Sequence, residues 1–372
     1  MRAAGRITPS LAAAVLLAGC LEHDATCRFA RVVGQSMAPA LRDGDVVRWR
    51  PCATPPRRYD RVICQLDKGP QVVKRVLGFP GEHLACQAGD LTADGTRLLK
   101  SPQVLAELAT VIGDATALRC KNPSGWRMAG DTWNWQAAKV TGFGELTIEP
   151  QQVTRQPHGT PVIYDDSPWL ADERRRLEPV RDVGLAAVIA VSELDDDKAV
   201  LSLRCGPQAA QMVVRGSGLV ALVAGRLDGQ FVAAAWPLAQ NMETDHLLAA
   251  WLAGTARSAL PPGAPAAWQA FSPAAAAPSV FPLTLAVAGL PEADFPSDHN
   301  SSPAATLTVH RLVVWRDVHW LPPAGQRRWS VPQGQVVVLG DCPAASRDSR
   351  HWGGLPLTAI VGEVLDCSGF QR

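Results

Sequence analysis

The 372-residue sequence predicts an all-β protein: a small β domain split by a large inserted, β-sandwich-like domain. Three observations predict it. Short β-branched runs alternate with turn signals near both ends of the chain, at residues 27–100 and 331–372. The segment between them, 101–330, has another character and holds ten of the twelve tryptophans. Glycine (31) and proline (30) are distributed without a repeat, which suits turn-rich β structure.

The N-terminal part is read as an address and an anchor. Arg2 and Arg6 precede the apolar run Leu11–Leu17, and Leu17-Ala18-Gly19-Cys20 follows. A basic start, a short apolar stretch and small residues at its end match a secretory signal. Leu17-Ala18-Gly19-Cys20 resembles the bacterial lipobox, which makes Cys20 the expected lipidation site. A diacylated cysteine supplies the two-chain attachment that stable membrane binding needs. The alternatives are an ordinary signal peptide or an uncleaved hydrophobic anchor, with Cys20 incidental in either case. Residues 1–20 are thus a signal peptide with lipobox or a membrane anchor, and the rest of the chain is expected on the extracytoplasmic (periplasmic) side.

Residues 27–100 form the first part of the small domain. Val32-Val33, Val46-Val47-Arg48-Trp49, Arg61-Val62-Ile63-Cys64 and Val72–Leu77 read as strands, punctuated by Asp43-Gly44-Asp45, Phe79-Pro80-Gly81 and Ala93-Asp94-Gly95. In the inserted segment the strand candidates are Glu145–Ile148, Ala186–Val191, Ala199–Leu203, Gln211–Val214, Leu219–Val223, Leu283–Val287 and Thr306–Trp315. Ala253–Ala277, rich in Ala, Pro and Ser, reads as a loop excursion. Strand style returns with Gln335–Leu339 and Ile360–Val364.

Charge and composition exclude several function classes. There are 36 basic and 35 acidic residues, a net charge of +1, so a nucleic-acid partner is not expected. No stretch reaches the roughly 18 apolar residues of a membrane-spanning helix, so a polytopic transporter is excluded. Besides Cys20 there are eight cysteines, which allow 105 pairings and leave the connectivity open. No pair has C-x-x-C spacing and the eight histidines are scattered, so neither a zinc site nor any other metal or cofactor is expected.

Three segments carry chemistry. Gly34-Gln35-Ser36-Met37-Ala38-Pro39 places a serine where a Pro-containing turn takes the backbone off a strand, with its hydroxyl exposed beside a backbone N–H. Val72-Val73-Lys74-Arg75-Val76-Leu77 alternates across a strand, so Lys74 shares a face with Val72 and Val76 and Arg75 points the other way. Burial without a counter-ion favours neutral lysine. From its ordinary pKa of ~10.4, a lysine must fall by roughly 3 to act as a base at pH 7, at a cost of about 4 kcal/mol. The chain has six lysines against thirty arginines, and arginine cannot serve as such a base. The third segment, Gly340-Asp341-Cys342-Pro343-Ala344-Ala345-Ser346-Arg347-Asp348-Ser349-Arg350-His351-Trp352-Gly353, is a polar loop after an apolar strand, in which Asp348 and Arg350 suit a local ion pair.

In this order the segments resemble bacterial type I signal peptidases, the membrane-bound Ser/Lys proteases of the S26 family. That family carries Ser-Met-x-Pro-Thr, Lys-Arg-x-x-Gly-x-Pro-Gly-Asp and Gly-Asp-Asn…Ser-x-Asp-Ser-Arg-x-Trp-Gly. The long insertion and Val314–Trp320 are similar to enlarged planctomycete-type members. The resemblance implies a serine endopeptidase with a Ser/Lys dyad that cleaves signal peptides from exported precursor proteins after small residues. It implies Ser36 as nucleophile, Lys74 as general base, Ser346 as the serine that orients the lysine, and Asp348 with Arg350 as a supporting pair. The Ser36 backbone N–H is the expected oxyanion donor. Asp60 falls on an upstream motif of structural value. The expected partners are precursors carrying signal peptides and membrane lipid; the oligomeric state is left open.

The chain departs from the family pattern at four positions. Ala40 replaces Thr, Glu82 replaces Asp and Cys342 replaces Asn. Gly34 stands where some members carry a serine that donates to the oxyanion. Losing one such donor can cost ~2.7–4 kcal/mol of transition-state stabilisation. Two rival readings follow from the same residues: a catalytically degenerate lipoprotein scaffold, and a glycan-binding lipoprotein acting through the insertion, where Trp133 and Trp135 share a strand face. Trp49 suits either a lipid interface or a core.

Overall fold

The computed structural model describes residues 27–67 and 69–114, the strands and some connecting loops between 118 and 238, parts of 267–289, and residues 306–368 apart from 324–327. Cys20 and nearly all of Ala253–Ala277 lie outside the described residues. The chain is all-β, with few helical turns.

Segments from both ends of the chain build one seven-stranded antiparallel sheet. Its order is Arg28–Arg31, Val46–Arg50, Ile360–Ser368, Arg61–Gln65, Gln71–Gly78, Gln335–Leu339 and Leu355–Pro356. The last long strand of the chain therefore lies between two of the first. Both faces are buried, and the two-residue period of the strands sorts their side chains. Ile63 joins Met37, Leu41, Val47, Trp49 and Val364, whereas Val62 and Cys64 join Val76, Val336, Val338 and Leu355. Val337 and Leu339, on the alternate face of their strand, enter a third cluster with Leu77 and Leu84. Trp49 is a core residue at 6 % exposure, with the Arg28 guanidinium 5.2 Å over its ring.

A four-stranded sheet of Arg328–Ser330, His83–Gln87, Asp90–Ala93 and Thr96–Arg97 covers that third cluster. The short helix Pro102–Leu108 follows, its N-terminus capped by the Ser101 side chain and opened by a proline, which lacks the N–H that position leaves unpaired. Leu108, Val318 and Trp320 pack into the same cluster as Leu77 and Leu84. Both flanks of the 101–330 segment are thus built into the core beside the seven-stranded sheet.

The middle of the chain forms two larger antiparallel sheets, one of eight strands centred on Val183–Ser192, Gly218–Leu227 and Thr306–Arg316, the other of five. All the strand candidates named above but one fall within an observed strand; Val32-Val33 lies just past the end of Arg28–Arg31, where the chain leaves the sheet towards the Gly34 turn. Trp133 and Trp135 lie on Thr132–Gln136, paired with Trp126–Ala129 and Thr306–Arg316; their side chains are outside the described residues. Among the described residues, Cys27, Cys52, Cys64, Cys86 and Cys342 are free thiols, and no helix is long and apolar enough to cross a membrane.

Candidate active site

The site forms where three stretches distant in sequence meet at one end of the seven-stranded sheet. Gln71–Gly78 pairs with Arg61–Gln65 on one side, Lys74 opposite Val62, and with Gln335–Leu339 on the other, Arg75 opposite Leu339. That second pairing brings the loop after Leu339 beside Lys74. The turn that carries Ser36 follows the edge strand Arg28–Arg31. Gly34 adopts a φ of 84°, a left-handed conformation open to glycine at little cost, and its N–H donates to Asp43 Oδ1 at 2.7 Å.

Lys74 Nζ lies 3.0 Å from Ser36 Oγ. Lys74 is 3 % exposed, while Ser36 remains partly accessible. Burial pushes the Lys74 pKa below its ordinary value, against the opposing pull of the Asp348 and Asp341 carboxylates. Ser36 O accepts the Cys342 N–H at 3.0 Å, which holds the first and third segments together through main chain. The Ser36 N–H donates to no group among the described residues. Gly340 is required here by space. A Cβ at this position would sit 2.4 Å from Ser36 O and 2.2 Å from Ser346 Oγ.

The polar loop after Leu339 is organised around Asp348, which is fully buried. Its carboxylate accepts from Gly340 N (3.0 Å), Arg350 N (3.2 Å), Arg350 Nε (2.7 Å) and Arg350 Nη2 (2.8 Å). Arg350 Nη2 also donates to Pro343 O and Ser346 O. Burial alone would raise the Asp348 pKa; the Arg350 hydrogen bonds and charge outweigh it and hold the carboxyl below its usual range. The expected ion pair is therefore present, and it fixes the Gly340 main chain beside Ser36.

Ser346 is placed differently from its expected role. It is 6 % exposed, but its Oγ makes no geometrically sound hydrogen bond, to Lys74 or to any other described group. Its hydroxyl still lies near enough to Asp348 to help stabilise that carboxylate. The loop turns it towards the Gly340 side, where the missing glycine side chain leaves room. Met37 is 1 % exposed and packs in the core with Leu41 and Ile63. Asp60 serves the fold: its carboxylate accepts the Arg57 N–H and its carbonyl accepts the Val76 N–H.

Two of the departures have local explanations. The Glu82 carboxylate accepts the Phe79 N–H at 2.9 Å and pairs with Arg58 at 2.5 Å, closing the Phe79-Pro80-Gly81 turn with one more methylene than Asp has. Cys342 Sγ lies 3.3 Å from Ser167 Oγ, a residue of the insertion.

Sequence reasoning missed two buried charge clusters. Arg75 grips both oxygens of Asp341 at 2.7 and 2.6 Å and donates to Tyr59 O at 2.7 Å. Glu107 of the short helix adds a contact at 2.9 Å. Burial opposes both charges, lifting Asp341 and working against Arg75; the bidentate contact decides for the ionised pair. The only sequence signal was the second cation beside Lys74. The other cluster joins Lys100 to Asp228 (2.5 Å) and Asp317 (2.8 Å), with Asp90 and Asp182 alongside. Carboxylate oxygens of Asp90, Asp182 and Asp228 come within 4.8 Å of one another, but Arg97, Arg226 and Lys100 already pair with them. Nothing in the sequence spacing links these residues.

A search of curated proteins finds no match to the chain. The family model for signal peptidase, peptidase S26, matches residues 5–112 and 303–367. The matched parts contain all three motifs, the short helix and the strand Thr306–Arg316. The two ends of the chain thus match the S26 signal peptidase family as two halves of one family domain, consistent with a signal peptidase that carries a large insertion between them.

Proposed function

We propose that the chain is a membrane-associated serine endopeptidase that removes signal peptides after small residues, with Ser36 and Lys74 as its dyad. The observation that carries this reading is the 3.0 Å approach of Nζ to Oγ by a lysine that is 3 % exposed. In the proposed reaction neutral Lys74 takes the Ser36 proton as Oγ attacks the carbonyl carbon. The oxyanion of the tetrahedral intermediate accepts from the Ser36 N–H. Protonated Lys74 gives its proton to the leaving amine, releasing the mature chain and leaving the signal peptide as an ester on Ser36. Lys74 then takes a proton from water, whose oxygen attacks the ester, and returns it to Oγ. No histidine or metal enters this scheme, in keeping with Ser-Lys variants of the triad logic.

Ser346, Asp348 and Arg350 act through main-chain position: Asp348 and Arg350 hold Gly340 and, through Cys342, the Ser36 carbonyl. Membrane attachment through lipidated Cys20 and a periplasmic catalytic domain belong to the same proposal and rest on the lipobox-like residues alone.

The full chain is to be incubated with precursor peptides carrying a small residue before the cut, alongside Ser36→Ala and Lys74→Ala. The proposal expects cleavage that both substitutions abolish without loss of fold by circular dichroism. Activity retained in folded Lys74→Ala would remove Lys74 as the base. Glycan binding by the full chain without any peptidase activity would favour the insertion as the functional part.

A further inference from the structure

Beside the Ser36 turn lies a pocket with about 370 Å³ of empty space, part of it open to solvent. One wall is the active-site turn and loop: Ala38, Pro39 and Cys342. The opposite wall comes from the flanks of the insertion and includes Asp165, Trp169 and Arg316. The insertion side is tied to the active-site side at two points. The Trp169 ring stacks under the Arg42 guanidinium at 4.3 Å, and Ser167 Oγ meets Cys342 Sγ.

The charges of this pocket are not evenly matched. Asp165 is taken by Arg175 (2.6 Å) and by the Glu178 N–H (2.7 Å). Asp341 is taken by Arg75, and Asp317, next to Arg316 but not in the pocket lining, is taken by Lys100. Arg316 is 5 % exposed and forms no ion pair among the described residues; the Asp166, Asp165 and Asp317 carboxylates act on it only at longer range. Its guanidinium donates only to the main-chain carbonyls of Asp317 and Asp166, and its buried Nε has no partner. A buried guanidinium in a pocket wall, hydrogen-bonded only to carbonyls and with one donor unpartnered, suits an anion that enters from the pocket.

We infer that this pocket is a substrate subsite for an acidic side chain close to the scissile bond, and that Arg316 is the residue that selects it. The inference rests on the peptidase reading, because the pocket begins two residues after Ser36 and shares Cys342 with the site. It gives the insertion a role in specificity: the strand Thr306–Arg316 ends by presenting Arg316 at the pocket.

The test uses the full chain and pairs of peptides that differ only by Glu against Gln, placed in turn at each of the positions flanking the cut. At one of them the Glu peptide should show a kcat/KM about tenfold to a hundredfold above its Gln partner, mostly through KM, as a hydrogen bond to a charged group warrants. In Arg316→Gln the ratio should fall to near one, and in Arg316→Lys to an intermediate value. Should Arg316→Gln fail to fold, the Lys variant and the wild-type ratios decide. Equal rates for Glu and Gln peptides at every position, or a preference that survives in Arg316→Gln, would overturn the subsite while leaving the dyad intact. No Ser36-dependent cleavage of any peptide would overturn the peptidase reading and this inference with it.

Discussion

Lys74 Nζ and Ser36 Oγ meet at 3.0 Å although 38 positions separate them in the chain. The lysine reaches the hydroxyl from a central strand, where the sheet withdraws it from water, and the serine from an edge turn that stays partly open.

That relationship fixes the sign of the pH dependence. Burial lowers the Lys74 pKa, so cleavage should rise with pH through that lowered value as the amine loses its proton. Lys74→Ala should reduce kcat/KM by about 10²–10⁴-fold, the share general acid–base catalysis ordinarily supplies. Stability follows the same group. Between the lowered pKa and the unfolded value near ~10.4, the unfolded chain binds a proton that the folded chain does not, so this residue makes stability rise with pH. Lys74→Met should therefore melt no lower than the wild type at neutral pH, and under the proposed mechanism it should not cleave.

Gly340→Ala separates activity from fold. The new methyl would press on Ser36 O at 2.4 Å and Ser346 Oγ at 2.2 Å, so the Ser36 main chain must shift. Overpacking of this kind costs about 1–3 kcal/mol. Cleavage should fall by far more than that loss of stability accounts for, because the displaced atoms belong to Ser36, the proposed nucleophile. A chemical-denaturation curve beside a kcat/KM measurement checks this; equal losses in both would contradict it.

Asp348→Ala strands Arg350, which is 5 % exposed at its side chain, and leaves the Gly340 N–H without its acceptor. Breaking a buried pair on one side costs about 3–5 kcal/mol. Because the folded Asp348 pKa is depressed, its contribution is complete above the unfolded carboxyl value of ~3.9 and disappears as pH falls through the folded one. Urea unfolding at neutral pH should show the full loss, and the difference from wild type should narrow in acid.

The cluster between the two regions gives the opposite slope. Burial and the neighbouring Asp182 and Asp228 carboxylates push Asp90 up to about 8. A raised carboxyl contributes stability that is complete below its unfolded pKa near ~3.9 and lost as pH rises through the folded value. Thermal melts of the wild type should fall as pH rises towards 8, and Asp90→Asn should flatten that fall. A melting temperature that does not change with pH over this range would contradict the assignment.

The alternation of Val72-Val73-Lys74-Arg75-Val76 was enough to place the two cations on opposite faces, because strand side chains have a two-residue period whatever the partner strands are. The Asp348–Arg350 pair was legible for a similar reason: the two residues are neighbours in a short loop. Strand positions across the insertion were legible from β-branched runs. The Arg75–Asp341 and Lys100–Asp228–Asp317 contacts were not, since 266 and 128 positions separate the first two pairs. Ser346 shows the limit within a motif: its type and spacing suited a contact with Lys74, but loop geometry set by the Asp348–Arg350 pair turned its hydroxyl elsewhere.

The sequence by itself determined the strand-rich class and singled out the serine and the lysine that the fold brings within 3.0 Å, because local period, turn residues and motif order carry that information. Only the tertiary structure decided that Lys74 is dry, that Gly340 must be glycine, and that the insertion's flanks wall a pocket beside Ser36. Those are properties of desolvation and close packing, which depend on residues brought together from across the whole chain.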